Sequence, residues 1–125
     1  LDQPQTERAR ALYEQDSELV VWWGSPVECA SALARLRRDG ILTLDDEELA
    51  LSILAALQDA WYEIQPGDAL RAQATRLLRL HSLRAADSLQ LAAGLEWAGV
   101  PPMGDFVTFD QRLAAAARRE GFRLV

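Results

Sequence analysis

Apolar residues recur along this chain in two alternating rhythms, helical spacing and short unbroken β-type runs, and the alternation predicts an α/β domain. Ala9, Leu12 and Tyr13 place a helix over Thr6–Gln15. Leu19-Val20-Val21-Trp22, bounded by Asp16-Ser17 and Gly24-Ser25, reads as a buried strand. Ser25-Pro26-Val27-Glu28 opens the next helix with a serine cap, a proline at the first helical position and a glutamate three residues past the cap. Gly40 ends that helix after Arg37-Arg38. Thr43 caps another, whose first turn carries Asp45, Asp46 and Glu47 and whose body runs through Leu49, Ile53, Leu54 and Leu57.

Trp61-Tyr62-Glu63-Ile64 predicts a second strand, stopped by Gln65-Pro66-Gly67. Pro66–Leu80 is amphipathic, with Leu70, Ala74, Leu77 and Leu78 inward and Arg71, Arg76 and Arg79 outward. Leu83–Trp97 is apolar on nearly every side, which predicts a central helix. A Pro/Gly loop over Gly99–Gly104 leads to a strand at Asp105–Phe109, a helix at Asp110–Arg119 and a last strand at Phe122–Val125. No repeat or linker divides the 125 residues, so a single domain over residues 1–125 is expected. The chain opens on Leu1 and its only methionine is Met103, so that domain is expected to be N-terminally incomplete.

Composition narrows the chemistry. All 13 basic residues are arginines, which removes the phosphate-binding loop lysine and Schiff-base chemistry. One histidine, His81, and one cysteine, Cys29, exclude His/Cys zinc clusters, Cys-His arrangements and an intrachain disulfide. No apolar run reaches the ~18 residues of a membrane span, and no secretory leader is apparent, so a soluble cytoplasmic protein with no membrane partner is expected. The net charge of −6 argues against gripping nucleic acid through a broadly basic surface. Carboxylates, hydroxyls and guanidinium groups are left to carry any reaction.

Three carboxylates stand apart by position. Glu28 lies in the first helical turn after the strand Leu19–Trp22, Asp110 sits where Asp105–Phe109 becomes a helix, and Asp87 lies one turn into the apolar helix. In a parallel sheet the strand-to-helix turns emerge along one edge, where ligands bind. Each residue also has a local explanation to weigh. Glu28 can complete a capping box with Ser25, and Asp110 is a natural helix cap. Asp87 has no evident partner among Ala85, Ala86, Leu89 and Leu91, and unpaired burial is costly. Asp45, Asp46, Glu47 and Glu48 read as a solvated helix start, and Glu120 as a polar-face residue. Two carboxylates about 5 Å apart repel by roughly 3 kcal/mol at an effective dielectric near 20. Three together would raise one another's pKa or hold a hard divalent cation such as Mg²⁺ or Mn²⁺.

The stretches Gly24-Ser-Pro-Val-Glu-Cys-Ala-Ser-Ala-Leu, Arg84-Ala-Ala-Asp-Ser-Leu-Gln-Leu-Ala-Ala and Phe106-Val-Thr-Phe-Asp-Gln-Arg-Leu-Ala-Ala-Ala-Ala, then Gly121-Phe, carry a resemblance. In this order they resemble PIN-domain ribonucleases of the VapC toxin type. The resemblance implies a three-layer α/β/α fold with a mainly parallel central sheet. It also implies Mg²⁺- or Mn²⁺-dependent hydrolysis of RNA, with Glu28, Asp87 and Asp110 as catalytic metal ligands. Thr108 falls where a hydroxyl supports the metal's water shell. Asp105 is an alternative to Asp110 but points to the wrong edge. The family's first strand, with its Asp-Thr or Asp-Ser pair, has no match here, and Asp2 is not its substitute. The sheet would lack its middle strand and the site its first carboxylate. The implied partners are RNA, a VapB-type antitoxin that places an arginine among the carboxylates, and a second copy of the chain. Arg79 and Arg84 are candidate phosphate contacts or solvated surface residues, and Trp22 and Trp23 candidate base-stacking or core residues. Two other readings stay open: a PIN-like binding module that does not hydrolyse, and another Mg²⁺ enzyme such as a phosphatase or DNA nuclease.

Overall fold

The computed structural model describes residue 11, residues 19–99 and residues 101–125. The helix expected over Thr6–Gln15 falls outside that set apart from Ala11, as does Asp2. The described elements run β1 (Val20–Trp22), α1 (Ser25–Arg38), α2 (Leu44–Gln58), β2 (Tyr62–Ile64), α3 (Asp68–Leu80), α4 (Ala85–Ala98), β3 (Asp105–Phe106), α5 (Gln111–Arg119) and β4 (Arg123–Leu124).

Helix starts follow the chemistry of their first turns. Thr43 closes a capping box on α2, accepting from the Asp46 N–H while the Asp46 carboxylate accepts from the Thr43 N–H. Asp110 caps α5 by accepting from the Leu113 N–H at 2.9 Å. At α1 the expectation is corrected. Gly24, not Ser25, is the cap residue, and no side-chain oxygen caps this helix. Glu28 is therefore not part of a capping box. Gly24 is required for space: a Cβ there would meet the Trp22 indole at 2.5 Å.

The three-layer α/β/α arrangement with a mainly parallel central sheet does not form. Among the described residues helix accounts for 62%, and the strands make two separate two-stranded parallel pairs, β1 with β2 and β3 with β4. The pairings are short: Val20, Val21 and Trp22 lie opposite Tyr62, Glu63 and Ile64, and Asp105 and Phe106 opposite Arg123 and Leu124. Among the described residues no strand joins β1 to β3, so two short ladders take the place of a central sheet. The expected strand at Asp105–Phe109 ends at Phe106 because the chain turns early to cap α5, with the Thr108 hydroxyl accepting from the Asp110 N–H.

A helix occupies the centre instead. Leu91 and Ala92 of α4 are fully buried and pack in one core with Leu77 of α3, Leu113 and Ala117 of α5 and Ile64 of β2. Phe106 and Phe122 lie with ring centroids 5.2 Å apart against Gly94, where a Cβ would come within 3.2 Å of Phe106. The central position expected of the apolar α4 is thus realised through Ser88, Leu91, Ala92, Ala93 and Leu95, while Trp97 near its end is half exposed. The α1–α2 hairpin behaves differently. α1 has no buried residue and α2 has only Glu47. Leu49 and Ile53, expected inside, are more than half exposed. Glu47 is not solvated as expected: it is paired with Arg37 at 2.6 Å and ties the two helices together.

Candidate functional site

Beyond the C-terminal end of β1 the chain passes through Trp22, Trp23 and Gly24 into α1, whose first turn carries Glu28. Beyond β3 it turns at Thr108 and enters α5 at Asp110. α4 contributes Arg84 at its cap, Asp87 in its first turn and Gln90 one turn further, three residues apart and so on one helix face. Glu28, Asp87 and Asp110, far apart in sequence, are thereby linked around the N-terminal half of α4.

Each link has its own geometry. The Gln90 side-chain amide donates to the Glu28 carboxylate at 2.5 Å. Burial pushes the Glu28 carboxyl above its ordinary range; the Gln90 hydrogen bond and the neighbouring Trp22 indole oppose the rise, and the charge of Asp87 adds to it. Asp87 has the partner its neighbours in sequence did not suggest: the Arg84 Nε lies 3.4 Å from its Oδ2. The Arg84 Nη2 lies 3.9 Å from the Asp110 Oδ2, so one guanidinium reaches carboxylates on two helices. Arg84, Asp87, Asp110, Gln111 and Arg112 line an open cleft of about 420 Å³, within the range of small-molecule sites.

The other candidates are placed as follows. Thr108 spends its oxygen on the Asp110 backbone. Asp105 is clamped by Arg123 at 2.8 and 3.0 Å, which holds its carboxyl below the ordinary range. Trp22 packs partly buried against the core, edge-on to Trp23 at 6.0 Å, while Trp23 is half exposed. Arg79 lies on an exposed face of α3, whereas Arg84 is engaged at the site. Sequence reasoning passed over Gln90 and assigned Arg84 elsewhere. Spacing held the signal for both, since each stands three residues from Asp87 on the same helix.

The donors are oxygen only and suit a hard cation. Among the described residues no group of three or more His, Cys, Asp or Glu side chains is arranged to hold a metal ion. The charge of Asp87 nevertheless contributes to the rise of the Glu28 carboxyl, and Arg84 connects Asp87 to Asp110. Mg²⁺ commonly binds through one or two carboxylates and keeps several waters, so the Glu28–Asp87 pair fits it in kind. No protein-family model matches the chain, and no curated protein matches it. Among the described residues no helix is long and apolar enough to cross a membrane.

Proposed function

We propose that this chain serves a divalent-cation-dependent ribonuclease, the toxin of a VapBC-type toxin–antitoxin pair, acting at the cleft lined by Asp87 and Asp110 with Glu28 as the third carboxylate. The observation that carries this reading is the placement of Asp87 and Asp110 in one open cleft. These two carboxylates from separate elements share the guanidinium of Arg84 at 3.4 and 3.9 Å. Repulsion between neighbouring carboxylates is relieved by protonation or by a bound cation. A bound Mg²⁺ or Mn²⁺ would supply an activated water and stabilise charge on the scissile phosphate.

The chain's own residues do the rest. Gln90 orients the Glu28 carboxylate. The Leu113 N–H fixes one Asp110 oxygen and leaves the other facing Arg84. Arg112 gives the cleft a second basic side chain for an anionic substrate. RNA as the substrate and an antitoxin as the partner rest on the VapC likeness of the three sequence blocks. The exposed apolar residues of α2, Leu44, Leu49 and Ile53, are the surface on which an antitoxin or a second copy of the chain would dock.

Titration with Mn²⁺ by calorimetry, followed by incubation with RNA and DNA oligonucleotides, tests this. Asp87→Asn is expected to weaken Mn²⁺ binding at least about tenfold and to abolish RNA cleavage. Unchanged binding in that variant removes Asp87 from the site. A second reading, a module that binds a protein partner without hydrolysis, is favoured by the guanidinium already lying between Asp87 and Asp110. Folded protein that takes up no Mn²⁺ would decide for it.

A further inference from the structure

We propose that Arg112, Arg119, Arg76 and Arg79 form a track for the phosphate backbone of a single RNA strand, laid along the exposed faces of α5 and α3. The identity of the anion rests on the ribonuclease reading above; the track itself rests on where charge falls and needs no metal. The chain carries a net charge of −6, yet α3 and α5 together hold Arg71, Arg76, Arg79, Arg112, Arg118 and Arg119 against one carboxylate, Asp68. Positive charge is thus gathered on two helices of an acidic molecule, the footprint of a polyanionic partner.

Contacts join the two helices into one surface. Leu113, Ala116 and Ala117 turn one face of α5 to the core, which leaves Arg112, Arg118 and Arg119 on the exposed side. Arg112 lines the cleft, and Arg119 stands two turns further along the same face, about 10 Å away along the axis. The next residue, Glu120, receives Arg76 at 2.6 Å, which brings the end of α5 against α3. Arg79 lies one turn beyond Arg76, and the two line an open groove of about 450 Å³ with Ala72, Thr75 and Leu80. Glu120 does not cancel the remaining charge, because Arg76 and His81 already engage its two oxygens. Among the described residues Arg79, Arg112, Arg118 and Arg119 make no salt bridge. Ala72, Thr75 and Ala115, which lie between the arginines, are small, so a strand can approach both helices closely. A row of uncompensated guanidinium groups with no aromatic anchor among them suits spaced phosphates better than a protein partner.

Fluorescence anisotropy of a labelled oligouridine, titrated with the protein in EDTA over a series of salt concentrations, tests the track without requiring turnover. The double variant Arg79→Gln, Arg119→Gln is expected to bind about tenfold more weakly than wild type. Its slope of log affinity against log salt is expected to be shallower by about 1.4, the share of two single-strand phosphate contacts. The control Arg35→Gln, Arg38→Gln, on the exposed side of α1, removes the same charge and is expected to stay within about twofold of wild type. Equal weakening in both double variants, each folded by circular dichroism, overturns the track, as does wild type that binds no oligouridine at low salt. Polyglutamate that competes as well as unlabelled oligouridine assigns the surface to an acidic protein and overturns it too. Binding through the track with no cleavage under Mn²⁺ supports the surface and removes only hydrolysis. Mn²⁺-dependent cleavage with unchanged affinity in Arg79→Gln, Arg119→Gln overturns the track alone.

Discussion

Two carboxylates, Glu120 and Glu28, each join distant elements of this molecule, and they do so under opposite electrostatic conditions. Glu120, following α5, receives Arg76 at 2.6 Å and the His81 Nε2 at 2.7 Å, from α3 and the residue that ends it. Burial alone would raise its carboxyl, but the hydrogen bonds and charges of Arg76 and His81 hold it below the ordinary range. Glu28 is also partly buried, yet its hydrogen-bond donor, Gln90, is neutral and the charge that acts on it is that of Asp87. Its carboxyl is pushed up. One carboxylate is a tie with its charge answered at full contact; the other is kept in a setting that leaves its charge poorly compensated. Such under-compensation weakens a fold and is retained where binding or chemistry uses it. The contrast sets Glu28, whose charge meets a neutral donor, apart from Glu120, whose charge meets arginine and histidine.

The largest expected effect lies at the tie. Glu120→Gln removes the charge facing Arg76 and His81, and His81 is buried with an Nδ1 that has no partner among the described residues. A loss of about 2 kcal/mol in urea unfolding is expected, below the full cost of breaking a fully buried pair because Arg76 is half exposed. An equal or higher midpoint for this variant would dissolve the contrast.

The pH dependence of stability separates the two carboxylates next. The folded-state pKa of Glu120 lies below its unfolded value of about 4.3, so its contribution is complete above that pH and is lost as pH falls through the folded value. The folded-state pKa of Glu28 lies above its unfolded value, so its ionisation costs stability as pH rises through the folded value. Unfolding midpoints measured from acid to neutral pH are expected to climb as Glu120 ionises and then decline slightly as Glu28 does. Glu120→Gln flattens the climb and Glu28→Gln flattens the decline. The smallest effect is that of Glu28→Gln at neutral pH, a gain of up to about 1 kcal/mol, since the amide keeps an acceptor for Gln90 and removes the repelled charge. A clear loss of thermal stability in that variant would show Glu28 to be a structural tie after all.

The two sites differed in how far the sequence announced them. Asp110 as a cap, Thr43 as a cap and α4 as the central helix follow from local spacing and were legible. Glu28 was legible as a residue beyond the end of a strand, but the capping box read from Ser25 and Glu28 does not form, because helix entry begins at Gly24 under the Trp22 indole. Glu47 and Glu120, read as solvated, are partnered by Arg37 and by Arg76 with His81. Partners ten and more residues away leave no periodic mark in the chain.

By itself, the sequence determined the element boundaries set by caps, prolines and glycines, the acidic and lysine-free character, and the positions of three carboxylates at or near element starts. These depend on contacts within a few residues. The tertiary structure alone decided that the strands stay as two short pairs around a helix, that Arg84 stands between Asp87 and Asp110, and that Glu28 meets the neutral amide of Gln90 while Glu120 meets arginine and histidine. Strand extent and charge compensation depend on what arrives across the fold, and that distance is fixed only when the whole chain has packed.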